Sequence, residues 1–410
     1  MRAHHAPFET HSTQRSLDSR ASNRLTTPAL LNKMLGGYLP KREHLLGLLI
    51  VLMGSLASIW LNDRIQDWTD GKLLGLSSLT LAILIGMVLG NTLYPKLAQP
   101  LAAGVTFSKA QILRLAIVLY GFKITISQVA SVGLSAVAID ALVLSSTFVI
   151  TYLLGTKWLK MDRTTTLLIG SGASICGAAA VIATEPVVKA ESHKVTIAVA
   201  TVVVFGTLSM LLYPMLYQMG WLAGIIDAQH YGVYIGSTIH EVAQVVVTGN
   251  AISPEVGNTA VVTKMIRVMM LAPFLLLLSI FITSTDAKNT KNTQNTLNAI
   301  ARDQSQPNKL QLLLQRLKQI HVPWFAFVFI AMVAVNSLLL ASPTPTIQSF
   351  TERMIELDNL LLTMAMFALG LTTHFSAVRQ AGIKPLILAA VMFVWLILGG
   401  ALINVLIGFF

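Results

Sequence analysis

The sequence predicts an all-α polytopic membrane protein of about 9–11 transmembrane helices, with inverted repeats and two discontinuous or re-entrant helical segments. Three observations lead there. Hydrophobic residues make up 54% of the 410-residue chain and charged residues only 11%, whereas a soluble domain carries roughly 25% charged residues. Apolar stretches approaching or exceeding the roughly 18 residues that cross a bilayer recur along the chain. Two short polar motifs also sit inside apolar stretches and look like copies. The first runs Gly172-Ala173-Ser174-Ile175-Cys176-Gly177-Ala178, the second Gly236-Ser237-Thr238-Ile239-His240-Glu241-Val242. At a constant offset of 64 residues, Gly, Ile, Ala and Val repeat and Ser174 matches Thr238. The long apolar runs are too many for one soluble core.

In chain order, residues 1–44 come first. They are polar and basic, with Arg2, Arg15, Arg20, Arg24, Lys33, Lys41 and Arg42, and read as a disordered cytoplasmic tail. A transit peptide is the weaker reading. The apolar stretches follow at 45–62, 74–91, 108–125, 133–155, 165–186, 194–218, 231–250, 257–283, 321–341, 354–375 and 384–409. Residues 45–283 form a first membrane part that holds both motifs. Residues 284–320, rich in Asn, Thr, Gln and Lys, read as a cytoplasmic linker, with a short amphipathic helix around 310–317. Residues 321–410 supply the C-terminal helices. The net charge of +11 follows the positive-inside pattern of tail and loops and does not indicate nucleic-acid binding. The basic tail, the loop with Lys157, Lys160 and Arg163, and the linker belong inside; Asp63, Asp67 and Asp70 belong outside. If 165–186 and 231–250 span fully, Lys189 and Lys194 lie outside. If both re-enter, those lysines lie inside, which the charge rule favours. Other matched segments, such as 85–93 with 330–338 and 121–129 with 370–378, run antiparallel under that topology, as inverted repeats require. The single cysteine, Cys176, excludes an internal disulfide.

Polar residues at membrane depth are costly and mark functional sites or paired networks. The Gly-rich stretch 170–177 can break a helix and expose backbone N–H groups to an anion. That makes Gly172, Ser174 and Gly177 substrate-binding candidates, against close helix packing by small residues. In the second motif, Ser237, Thr238 and Gln244 are candidate substrate contacts. On an unbroken helix, Ser237, Glu241 and Gln244 share one face. His240 and Glu241 are the candidate proton carriers. Lys264 and Arg267, three residues apart in an apolar run, need a partner: Glu241, a helix C-terminus or an anionic substrate. Arg114 is placed similarly, and Lys123 near a helix end can snorkel. Asp140 and Glu185 are further acids at or near membrane depth.

These residues carry a resemblance. Ser174 to Ala183, Ser237-Thr238-Ile239-His240-Glu241-Val242-Ala243-Gln244, Lys264-x-x-Arg267 with Leu271-Ala272-Pro273, and Leu113 to Gly121 are similar to the YeiH-type bacterial inner-membrane proteins, usually labelled sulfate exporters. The resemblance covers nearly all of the chain from about residue 45 onward. More distantly it reaches the bile-acid and arsenite transporter superfamily, with inverted repeats and crossed discontinuous helices. It implies a bacterial inner-membrane protein and a transport function. The expected activity is secondary transport, as an exporter, of sulfate, sulfite or an organosulfonate. Expected partners are that anion, a proton with Na+ as the alternative, and the lipid bilayer. No nucleic acid, cofactor, metal or catalytic residue is expected, and the sequence leaves room for a homo-oligomer. No nucleotide-binding Gly-x-x-x-x-Gly-Lys-Ser/Thr motif appears. The rival readings are an anion channel and an intramembrane enzyme using Cys176, His240 and Glu241.

Overall fold

A computed structural model describes residues 40–69, 77–222, 224–294, 323–342, 344–373 and 381–408. The tail before residue 40 and the linker from 295 to 320, with its suggested short helix, lie outside the described residues. The described elements are helices. They are α1 Leu45–Thr69, α2 Ser78–Thr92, α3 Tyr94–Phe107, α4 Leu113–Tyr120, α5 Ile126–Leu153, α6 Arg163–Ser174, α7 Ala178–Val188 and α8 Ser192–Gln218. There follow α9 Ala228–Thr238, α10 Val242–Asn250, α11 Pro254–Met269, α12 Leu271–Gln294, α13 Trp324–Ala341, α14 Pro345–Leu371 and α15 Ile383–Gly408. A π-helical turn, Ser108–Ile112, joins α3 to α4.

Eight of the described spans are long and apolar enough to cross a membrane, and Ser78–Thr92 is a shorter apolar helix. The acids expected in the first outer loop, Asp63 and Asp67, lie within α1, which outruns its apolar stretch. Helix α12 likewise runs past residue 283 to Gln294. Starts are set by local chemistry. Ser77, Thr125, Asp162, Asp227, Ser253 and Thr344 each accept a backbone N–H of the first turn, satisfying donors the helix leaves free.

The helices form two groups. Helices α1 to α4 pack with α13 and α14, whereas α5 to α12 pack with one another and with α15. Small residues set the spacing. A Cβ on Gly370 would meet the Ile83 carbonyl oxygen at 2.3 Å, so α14 and α2 touch backbone to backbone. Contacts between the groups are sparse.

The stretches 165–186 and 231–250 are each broken in the middle. Their four pieces have 12, 11, 11 and 9 residues, at most about 18 Å long at 1.5 Å per residue. No piece alone covers the roughly 30 Å of a bilayer core. Each pair folds back instead of crossing its partner. In the first, Gly172 of α6 packs on Val181 of α7, where a Cβ would approach to 2.7 Å. Asp162, just before α6, pairs at 3.1 Å with Lys194, just beyond α7. In the second, Gly232 near the start of α9 packs on Val256 and Thr259, and Gly249 near the end of α10 packs on Gly257. Both of its ends therefore sit beside the start of α11.

Two long helices relate the hairpins. Helix α8 begins beside the first hairpin's base at Lys194. Midway, Gly206 faces Gln244. Further on, the Met210 and Tyr213 carbonyls accept the Thr248 and Tyr231 hydroxyls of the second hairpin. The α11–α12 span runs the other way. It starts at the second hairpin's base and ends where Phe281 lies 5.5 Å from the Arg163 guanidinium at the first hairpin's base. The hairpins thus come from opposite ends and meet tip to tip.

Candidate functional site

The chain reverses at Ile175–Gly177 in the first hairpin and at Ile239–Glu241 in the second. A helix end leaves backbone groups unpaired and carries a partial charge, negative at a C-terminus and positive at an N-terminus. Two C-termini, of α6 and α9, and two N-termini, of α7 and α10, therefore converge in the interior.

Both C-termini face cations. Lys264 and Arg267, on adjacent turns of α11, are 0% exposed. Lys264 Nζ donates to the Ile175 carbonyl at 2.9 Å and to that of Ile239. Arg267 donates to the Ser174 carbonyl through Nε at 2.7 Å, to Ala173 through Nη2 at 3.4 Å and to Ser237 through Nη1. Ile175 and Ile239 are matched positions of the two motifs, and so are Ala173 and Ser237. Each cation bridges equivalent carbonyls of both copies. The pair is a clamp that ties one tip to the other, and its cost in desolvation is offset by hydrogen bonds to oriented dipoles.

The N-termini face an acid. Glu241 precedes α10, and its Oε1 accepts the Ala178 N–H at the start of α7 at 3.4 Å. Its own N–H donates to Gln244 Oε1 at 3.1 Å, half of a capping box. Gly177, the matched position in the first motif, touches it. There φ is +71° and a Cβ would lie 2.5 Å from Glu241 Cγ, so only glycine fits. Glu241 is half-buried, and Ala179, next in the chain after Ala178, is exposed. The charge of Lys109, from the π-helical turn of the other helix group, also acts on Glu241. A π-turn often marks a functional position.

Several expected contacts have other partners. Lys264 and Arg267, expected to meet substrate, are committed to carbonyls. The hydroxyl of Ser174 turns back to the Ser171 carbonyl at 3.4 Å. Ser237 donates to the Tyr234 carbonyl and accepts from Asn404 at 3.1 Å. Thr238 also donates to Tyr234. These hydroxyls sit near helix ends, where a carbonyl one turn back is the nearest acceptor. Gly172 lies inside α6, and the break comes later, at Gly177. Ser237, Glu241 and Gln244 do not share one helix face, because the helix stops at Thr238 and restarts at Val242. Arg114 donates to Gln111 of the π-turn at 3.5 Å. Lys123 pairs with buried Asp358 at 2.7 Å and stacks on Tyr120 at 4.6 Å.

Some polar atoms here are buried with no hydrogen-bond partner among the described residues: His240 Nδ1, Gln244 Nε2 and both carboxylate oxygens of Asp140. Asp140 is 0% exposed and lies within electrostatic range of Arg267 and Lys264. Cys176 is buried at the first tip, within range of the same cations and of Glu241. Sequence reasoning gave Lys109 and Asn404 no role. Each is a polar residue interrupting an apolar run, the signal that singled out Lys264. No group of three metal-ligating side chains occurs among the described residues. Outside the membrane spans, the Asp162 and Asp227 caps titrate low. Burial acts to raise each carboxyl, but donors outweigh it: Thr165 and Lys194 on Asp162, the His230 N–H and ring on Asp227.

Comparison with known proteins places the chain among membrane proteins. A family model described as conserved hypothetical protein 698 matches residues 46–389. The UPF0324 inner membrane protein YeiH of Salmonella typhimurium is 50% identical over 333 residues, covering 81% of this chain and 86% of its own. The protein of that name from Escherichia coli K12 is 50% identical over 330 residues, covering 80% and 86%. No solved structure matches. Half of the aligned residues are shared over nearly the whole membrane region, and the chain belongs to the UPF0324 family of YeiH-type membrane proteins.

Proposed function

We propose that this chain is a secondary transporter of a small anion, an exporter of sulfate, sulfite or an organosulfonate in the bacterial inner membrane. One observation carries the reading: two hairpins from opposite sides meet tip to tip at buried charges. Broken helices meeting at mid-depth are the usual architecture of a transport site, and two matched hairpins are what inverted repeats produce. In this reading both hairpins are re-entrant and the tail is cytoplasmic. The first hairpin's base, with Lys157, Lys160, Lys189 and Lys194, then faces the positive-inside compartment. The anion sits at the N-termini of α7 and α10, where the Ala178 N–H faces Glu241. Gln244 Nε2 and His240 supply free polar atoms.

The cation clamp bears on coupling. Half-helix carbonyl ends bind Na+ in many transporters. Here the Lys264 ammonium and Arg267 guanidinium occupy those ends, which favours a proton as the coupling ion. Glu241 holds the N–H that an anion would take, so protonation of Glu241 and anion binding are linked.

The test is flux in proteoliposomes of the purified protein. Labelled sulfate and sulfite uptake should follow a pH gradient and saturate. Glu241→Gln should abolish the pH dependence. Absence of flux for both anions sinks the substrate assignment, whereas unsaturable, pH-independent conductance favours the channel.

A further inference from the structure

An apolar groove of about 550 Å³ runs along the outer face between α5 and α12. Leu144, Phe148 and Tyr152 line one wall, and Phe274, Leu277 and Phe281 the other. Its floor is aromatic. Phe148 meets Phe274 edge-on at 4.9 Å, and Tyr152 meets Phe281 edge-on at 5.9 Å. Leu277 is 68% exposed and Phe281 45%, so the groove opens away from the protein.

Beyond Phe281, at one end of this groove, lies a cation. The Arg163 guanidinium stacks on Phe281 at 5.5 Å. Its Nε and Nη2 atoms are buried and donate to nothing among the described residues. An arginine with two free donors side by side matches a phosphate oxygen pair. Lys157 and Trp158 are exposed on the adjoining turn at the end of α5. Exposed Trp beside basic residues is the pattern of the bilayer interface. Apolar groove below and orphaned guanidinium above have the polarity of a phospholipid.

We propose that this groove is a binding site for an anionic phospholipid. One acyl chain lies along α5 and α12, and the phosphate accepts from Arg163 Nε and Nη2. The site is distinct from the hairpin tips. It lies where the first hairpin's base meets the α11–α12 span, so an occupied site braces the element that carries Lys264 and Arg267.

The test uses the full chain, delipidated in detergent, with phosphatidylglycerol, phosphatidylcholine or inorganic phosphate added. Retention is read by native mass spectrometry and stability by thermal unfolding. Phosphatidylglycerol should be retained about tenfold better than phosphatidylcholine and raise the melting temperature, because charge-assisted bonds to the headgroup are the discriminating term. Inorganic phosphate should do neither. Arg163→Ala should remove the preference. Leu277→Trp, which fills the groove from an exposed position, should lower retention of both lipids. Both variants should match the wild-type melting temperature without lipid. Equal retention of the two lipids, or protection by inorganic phosphate alone, overturns the proposal. So does a Leu277→Trp variant that breaks up an oligomer while its lipid retention is unchanged.

Discussion

The two hairpin tips share a frame but differ in chemistry. Both present matched carbonyls to the same two cations, Ile175 and Ile239 to Lys264, Ala173 and Ser237 to Arg267. Beyond the isoleucines they part: cysteine at 176 against histidine at 240, then glycine at 177 against glutamate at 241. The carboxylate of one copy reaches the helix N-terminus of the other, and the missing side chain makes the room. Matched carbonyls of the two motifs meet the same cations, and the motifs differ where the acid sits. The cations meet both tips, with one further bond on the first, at Ser174, whereas the acid belongs to the second tip alone.

Removing the shared part should do most damage. Arg267→Ala strips donors from carbonyls on both tips and leaves Asp140 facing one cation fewer. Truncating one partner of a buried charge network costs about 3–5 kcal/mol. We expect loss of folded yield in detergent, and Arg267→Lys to rescue it only partly, since an ammonium lacks the fork that spans both hairpins. Wild-type stability in Arg267→Ala would break the idea of a clamp. Next is Gly177→Ala, which forces a left-handed residue against Glu241, at about 1–3 kcal/mol. Combining it with Glu241→Gly removes the side chain it meets but not the positive φ at 177, so it should recover only part of the stability and no pH-dependent flux. Glu241→Gln alone keeps an acceptor for Ala178. It should shift stability by only about 1 kcal/mol while removing the pH dependence of transport. A large stability loss there would make Glu241 a structural cap.

The smallest effect is at the hairpin bases. Asp162→Ala loses a cap worth about 1 kcal/mol; its half-exposed ion pair with Lys194 adds little. The Asp162 carboxyl is held below its ordinary value, so its stabilisation is complete above that value, near about 3.9. It fades as pH falls through the lower folded value. Asp162→Ala should therefore flatten acid sensitivity without touching flux at neutral pH.

Much of this was legible in the residues. Two polar copies inside apolar runs marked the segments that break, and the buried Lys264–Arg267 pair marked the helix that meets them. What was not legible is direction. A serine at 174 or 237 offers a hydroxyl and a carbonyl, and nothing in the order of residues says that the hydroxyl turns back while the carbonyl meets a cation. Nor does the pattern say that the chain breaks at Gly177 and not at Gly172, because glycine serves close packing as readily as reversal. Lys109 was hidden because it comes from the other helix group, and only tertiary structure brings its charge to bear on Glu241.

Opposed hairpins are the premise of everything above, and one labelling experiment tests them most directly. Cys176 is the chain's single cysteine, so Cys176→Ser gives a clean background. Lys160→Cys and Lys189→Cys flank the first hairpin; Ile225→Cys and Glu255→Cys flank the second. In sealed vesicles, a membrane-impermeant maleimide should label the first two from one side and the last two from the other. If Lys160→Cys and Lys189→Cys react from opposite sides, the first broken helix crosses the membrane and the account fails.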